Sequence, residues 1–319
     1  MTFGGWYAGE MHGKSKGNVS AIKNEDGIIT INFKHKADSF NDFFSKVGER
    51  LANDILTDTS GNEHQHIYQI TPTIEPVQLN VHKIKRVIDK RVKPGKECGP
   101  YNITSRGLKL EGDAVAVGLS YVMEVSLKSP IYPPRWKLSK GKAVPKKLHS
   151  SKRGDFRPIS LLFIPSKVYE GITGDSIDCH FNKSNKSQWI FKTGRSTELL
   201  MLHLTEVWRH ELDKNKTVGV LFIDIKKAFD YICHNTMALK LQAFRLSGNQ
   251  NNLIENYLSE RIQFVEVKGQ RSNEVTVKFG VPQGQYLAPG FLVFTSMICL
   301  KCLVVERWKC LLMTQLYIV

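Results

Sequence analysis

Apolar positions recur at helical spacing in the first third of the chain. Phe40, Phe43, Phe44 and Val47 fall at i, i+3, i+4 and i+7, which predicts a helix over the Ala37–Gly48 segment. Val81, Ile84, Val87 and Ile88 predict a basic amphipathic helix over Val81–Val92, ended by Lys93-Pro94-Gly95-Lys96. Ala114–Leu127 reads as an apolar helix, stopped before Pro130, Pro133 and Pro134. Ser196–Glu211 predicts a helix with cap chemistry at Ser196-Thr197-Glu198 and an apolar face of Leu199, Leu202, Val207 and neighbouring Leu and Trp residues. The period then changes. Val218–Asp224 is a nearly unbroken β-branched and aromatic run, predicting a strand buried on both faces and ending in a carboxylate. A helix is expected from Ala228-Phe229-Asp230, another near 251–259, and then a hairpin of Ile262–Val267 with Val275–Phe279. Residues 1–36 read as a polar linker with at most a short hairpin around Ile28–Phe33, and residues 55–76 as a loop.

Composition narrows the classes. The chain has 319 residues, 41% hydrophobic and 24% charged, which excludes collagen-like, disordered and small disulfide-scaffold proteins. With 45 Lys+Arg against 30 Asp+Glu the net charge is +15, which fits a polyanionic partner as well as it fits a basic protein with a solvated surface. The six cysteines lack secreted-type spacing, and the single C-x-x-C at Cys299 and Cys302 is weak evidence for zinc, so reduced thiols in an intracellular protein are expected. The N-terminus lacks a signal-peptide pattern, and the apolar run Phe291–Leu300 is shorter than the roughly 20 residues a membrane span needs. No membrane association is expected.

Three blocks carry chemistry. Asp155-Phe156-Arg157-Pro158-Ile159-Ser160-Leu161-Leu162 comes first, then Ile223-Asp224-Ile225-Lys226-Lys227-Ala228-Phe229-Asp230, then Gly280-Val281-Pro282-Gln283-Gly284. A carboxylate at the end of a buried strand is costly unless paired, metal-bound or capping the next helix. In this order the blocks resemble the reverse transcriptase of a non-long-terminal-repeat (non-LTR), jockey-like retrotransposon. Gln188–Thr197 resembles the family's Q-x-G-F-R-x-G-x-S-T, the Ala37–Gly48 helix its segment ahead of the polymerase, and Gly99–Ile103 its G-x-D-G-I. The likeness spans residues 20 to 289.

The resemblance implies an α+β right-hand polymerase: fingers and a partial palm, with an incomplete antiparallel palm sheet and packed helices. Four regions follow: 1–36 a linker remnant, 37–150 an N-terminal extension and the start of the fingers, 151–289 the fingers and palm, and 290–319 an aberrant tail. It further implies transfer of dNTPs onto a DNA primer along an RNA template, by two Mg²⁺ ions about 3.5–4 Å apart. Asp224 would be the catalytic, metal-bridging carboxylate and Ile225 would offer a carbonyl to metal and nucleotide. Phe229 would sit under the sugar, Arg157 would contact the triphosphate, and Gln283 and Gly284 would line the nucleotide pocket. Each keeps a plainer alternative: a turn residue for Arg157, a core aromatic for Phe229, a polar loop residue for Gln283. The run Lys137–Arg153, with Lys140, Lys142, Lys146, Lys147, Lys152 and Arg153, is either a solvated face or a hold on nucleic-acid backbone, to which Arg195 would add. A ribonucleoprotein of cytoplasm and nucleus is expected.

The pattern breaks after Pro-Gln-Gly. The family supplies its remaining metal carboxylates from an Ala-Asp-Asp hairpin, yet this sequence has no Asp after Asp230. Reading the codons from Gly290 onward in a shifted frame forces Asp at Met297-Ile298, Asp at Met313-Thr314 and Glu at Trp308-Lys309. It also allows Tyr-Ile-Asn-Asp-Leu-Pro over Phe294–Leu300 and Phe-Ala-Asp-Asp-Thr-Val over Cys310–Leu316. The expectation is a frameshifted, truncated remnant that does not polymerise, the alternative being a non-catalytic basic nucleic-acid-binding fragment.

Overall fold

The computed structural model describes residues 21–23, 27, 29–56, 77–147, 150–184, 189, 194–220, 227–243 and 248–292. A two-stranded antiparallel hairpin, β1 (Ile22–Lys23) and β2 (Ile29–Thr30), comes first among them. Helix α1 (Phe33–Leu56) follows and starts four residues earlier than the apolar spacing predicts. The reason is Asn32, whose side-chain oxygen accepts from the backbone N–H groups of Lys34 (2.8 Å) and His35 (3.2 Å) and so satisfies the first free donors. Helix α2 (Val81–Arg91) is capped the same way by Asn80, and buries Ile84, Val87 and Ile88 as its spacing predicts. Next come a short α3 (Ser105–Leu110) and α4 (Gly112–Lys128), which matches the predicted apolar helix.

The basic run after Trp136 forms strand β3 (Leu138–Pro145), paired antiparallel with β4 (Phe156–Leu162), the Arg-Pro block. Helices α5 (Ile164–Ser184), which periodicity does not announce, and α6 (Thr197–Leu212) follow. After α7 (His234–Ala243) and α8 (Gly248–Leu258) comes the hairpin: β5 (Arg261–Val267), β6 (Gln270–Arg271) and β7 (Val275–Val277). The five-stranded sheet is mixed. β5 is antiparallel to β6 and β7 but runs parallel to β3, with Leu138 opposite Ile262 and Gly141 opposite Val265. The α+β class holds, with one parallel pair inside an otherwise antiparallel sheet.

Two cores hold these layers. The small one sits between α1 and the sheet, where Ile22, Phe40, Phe156 and Val265 are buried and Phe40 meets Phe156 edge-on at 4.8 Å. Polar contacts fix α1 there: Asn41 donates to the Asn273 carbonyl (2.7 Å) and accepts from Gln263 (3.0 Å), while Asp38 accepts from the Asn273 N–H (3.0 Å). The large core joins α2, α4, α5, α7, α8 and residues 281–291. Tyr132, Tyr169 and Tyr257 pack within it, their hydroxyls bonded to Ser166, Ser126 and Glu170.

Three expectations change. Val218–Val220 form no strand and Val220 is exposed, so the two-face-buried strand is not seen in its described part. A buried strand needs neighbours on both sides, and no described strand pairs with it. Residues 227–230 form a turn rather than a helix start, because Lys227 is left-handed (φ 53°), and α7 begins only at His234. On α6, Leu199 and Leu202 are 48% and 59% exposed and only Leu200 is buried, so the predicted apolar face lies open among the described residues.

Gly48 is the tightest point of α1. A Cβ there would lie 2.4 Å from the Asp230 carbonyl oxygen and 2.5 Å from Phe279 Cβ. Glycine in mid-helix costs roughly 0.5–1 kcal/mol against alanine, and the close approach explains why it is kept. Gly48→Ala is therefore expected to destabilise the chain by about 1–3 kcal/mol. Gly118→Ala, in α4 with open space around it, is expected to stabilise by about 0.5–1 kcal/mol. Urea denaturation of the two variants reads the difference.

Candidate functional site

The Arg-Pro strand, the turn after the strand-end carboxylate, and the Pro-Gln-Gly loop meet in space. The Ser160 N–H of β4 donates to the Gln283 carbonyl (3.1 Å), and the Gln285 side-chain amide donates to the Ser160 carbonyl. From the other side, Val281 N–H donates to the Phe229 carbonyl (3.0 Å) and Gly280 N–H to the Ile232 carbonyl (2.8 Å). Gly280 has φ +79°, and a Cβ there would sit 2.9 Å from both Asp230 Cα and the Phe229 carbonyl oxygen. Only glycine suits that position. His234 Nε2 donates to the Gly280 carbonyl (2.8 Å), and burial holds its imidazole below the usual range, mostly neutral at pH 7.

Gln283 also donates from Nε2 to Asp230 Oδ1 (2.7 Å). Burial pushes the Asp230 carboxyl above the usual range, while that hydrogen bond and the charges of Lys227 and Lys146 pull the other way. Two cations converge on one ring: the Arg153 guanidinium lies 5.1 Å and the Lys227 ammonium 5.0 Å from the Phe43 centroid of α1.

The expected site residues divide accordingly. Arg157, Phe229, Gln283 and Gly284 lie in the described blocks that meet here, all half-buried except the exposed Gly284 (φ +87°), where a Cβ would lie 3.6 Å from Ile159. Asp224 and Ile225 fall outside the described residues, as do Gln188 and residues 190–193 of the Gln188–Thr197 motif. The Lys137–Arg153 run is not one cationic face. Lys140 turns inward and ion-pairs with Glu266 (3.1 Å) and Glu97 (3.6 Å), and Lys142 pairs with the same Glu97. Lys140 and Lys142, two residues apart, share one side of β3, which is why both reach Glu97. Lys146, Lys147 and Lys152 are exposed, with Lys146 Nζ also bonded to the Gly154 carbonyl (3.1 Å). Arg195 lies 4.4 Å over the Trp189 ring, beside α6. Among the described residues, no three His, Cys, Asp or Glu side chains gather as a metal site, and no helix is long and apolar enough to cross a membrane.

Sequence reasoning passes over Glu170. It lies fully inside the large core, accepting from the Tyr257 hydroxyl (2.8 Å) and from the Tyr286 N–H (3.2 Å), just after the Pro-Gln-Gly loop. Tyr286 in turn donates to the Arg91 carbonyl and carries the Arg91 guanidinium over its ring at 4.7 Å. The available signal was a lone Glu between Val168-Tyr169 and Ile172 on an apolar helix.

Residues 144–299 match the family model for reverse transcriptase (RNA-dependent DNA polymerase). The chain is similar to a protein of Drosophila melanogaster named "Probable RNA-directed DNA polymerase from transposon BS", 26% identical over 234 residues, 72% of this chain and 25% of that protein. It is 25% identical over 237 residues to the RNA-directed DNA polymerase from mobile element jockey of Drosophila funebris, again 72% of this chain and 25% of that protein. Against the Pol polyprotein from type-1 retrotransposable element R1 of Bradysia coprophila it is 30% identical over 224 residues, 67% of this chain and 21% of that protein. The chain thus spans a quarter or less of the length of these relatives.

Burial raises the Glu170 carboxyl above its usual range, outweighing the hydrogen bonds from Tyr257 and Tyr286 and the charges of Arg261 and Lys167. The fold favours the neutral acid. Its contribution is full below the unfolded carboxylate range and is lost as pH rises through the raised folded value. Glu170→Gln, neutral throughout, is expected to melt above the parent at about pH 8, with the gap closing toward about pH 4. Thermal melts across that range test it; a gap independent of pH would contradict it.

Proposed function

This chain carries a reverse transcriptase domain of the non-LTR transposon kind over residues 144–299, and we propose from that premise that it holds an RNA template, a DNA primer and a dNTP. The observation that carries the reading is the meeting of the three motif blocks at Gln283, tied by Ser160 and Asp230. Within it, Arg157 offers a guanidinium fork to the triphosphate, where five fixed donors suit phosphate oxygens. Phe229 supplies the aromatic under the sugar, and Gly284 lets backbone approach the nucleotide. Asp224, with the Ile225 carbonyl, is the proposed Mg²⁺ position.

That donor set is too small for two ions. Mg²⁺ takes six oxygen ligands, and a second carboxylate is needed to bridge a pair. With no Asp after Asp230, the chain as it stands is proposed to bind substrates without joining them, and a frame change near codon 290 is the proposed cause. Primer extension with Mg²⁺ or Mn²⁺ is expected to give no incorporation. A shifted-frame version carrying the Asp-Asp pair is expected to extend primer, and Asp224→Ala to abolish that. Extension by the unshifted chain would overturn the reading.

The exposed cations give a binding test apart from catalysis. Neutralising Lys146, Lys147 and Lys152 to Gln is expected to weaken RNA binding and to flatten its salt dependence, by about one unit of log–log slope for each phosphate no longer neutralised. Lys140→Gln, removing an inward ion pair, is expected to lower stability and leave that slope alone. Filter binding across a salt series measures both.

A further inference from the structure

We infer that Asp230 is a positioning residue of the nucleotide pocket: it fixes which end of the Gln283 amide is left for a ligand. The inference rests on the reading of Gln283 as part of that pocket. A glutamine side chain has one end that donates and one that accepts, and either suits a nucleotide group. Here the choice is made by Asp230, whose Oδ1 accepts from Gln283 Nε2 at 2.7 Å. A carboxylate accepts only, so turning the amide over would set its carbonyl oxygen against a carboxylate oxygen. What Gln283 then keeps for a ligand is chiefly its Oε1, an acceptor that selects groups bearing O–H or N–H.

The position of Asp230 is itself over-determined. Its carbonyl oxygen meets Gly48 of α1, and its Cα meets Gly280, in both cases so closely that a Cβ would collide. Its N–H donates to the Lys227 carbonyl at 2.9 Å, closing the turn. On the other side of Gln283, the Ser160 N–H holds the backbone carbonyl at 3.1 Å. The amide is therefore gripped at main chain and side chain by groups from separate segments. This is the pre-organisation a pocket needs to present a single hydrogen-bonding polarity.

The test is a double-mutant cycle in nucleotide binding. Full-length chain is titrated with mant-dATP in the presence of RNA template, DNA primer and Mg²⁺, with circular-dichroism melts checking each variant's fold. Asp230→Ala and Gln283→Ala are each expected to weaken binding by about 5–10-fold. The double variant is expected to bind no more weakly than Gln283→Ala alone. A purely structural role for Asp230 would add its loss to that of Gln283→Ala, and additive losses overturn the inference. Should Asp230→Ala fail to fold, Asp230→Asn replaces it in the cycle. That variant keeps the shape but lets the two amides pair either way round, and about 2–5-fold weakening is expected. Binding by the parent that neither Asp230 variant changes overturns this inference alone, whereas a parent that binds no mant-dATP overturns it together with the pocket reading.

Discussion

Main chain touches main chain where Gly48, Asp230 and Gly280 meet, and the site is organised by that contact. The three residues come from the N-terminal helix, the turn after the strand-end carboxylate, and the Pro-Gln-Gly loop. Phe279 Cβ flanks the Gly48 contact, and atoms fixed to the main chain cannot relax by rotamer change. Once α1 is seated on the sheet by Phe40 and Asn41, the Lys227–Asp230 turn has one place to go. The Asp230 carboxyl and the Gln283 amide then follow. This gives the region ahead of the family-matched residues a direct part in shaping the site, through contact rather than covalent continuity.

Much of this was legible in the sequence, and the failures have physical causes. Helices α1, α2, α4 and α8 and the β5–β7 hairpin follow from apolar spacing, because each buries one face against a neighbour. The start of α1 depended on the cap at Asn32, which spacing does not register. Helix α5 was hidden because its interior mixes Glu170 and Lys167 with apolar residues, and the hydrogen bonds that excuse a buried Glu are tertiary. The basic run is continuous in sequence, but Lys140 is drawn into ion pairs with Glu266 and Glu97, partners far from it along the chain. The motif blocks mark candidate residues but not the bonds between them. Nothing in the spacing of Asp230 and Gln283, fifty-three positions apart, indicates that they share a hydrogen bond.

The two cores divide the labour. The helical core around Tyr132, Tyr169 and Tyr257 keeps each of these tyrosine hydroxyls bonded, and places Glu170 where it can hold the backbone just after the loop. The small core does little more than press α1 on the sheet, yet it brings Phe43 against Arg153 and Lys227. The backbone just after the loop is thus anchored by a carboxyl that burial pushes above its usual range, while two cations gather on the Phe43 ring.

The loop bonds to β4 have a consequence for association. Among the described residues strand β4 is the outermost of its sheet, and an open strand edge invites pairing with another chain. The outward amide and carbonyl of Ser160 are occupied by Gln283 and Gln285, and Pro158, two residues earlier on the same side, has no N–H to offer. The Pro-Gln-Gly loop therefore also guards this edge. Any change that frees the loop to move also uncovers a template for strand addition, so mobility at the site and solubility of the protein are set against each other.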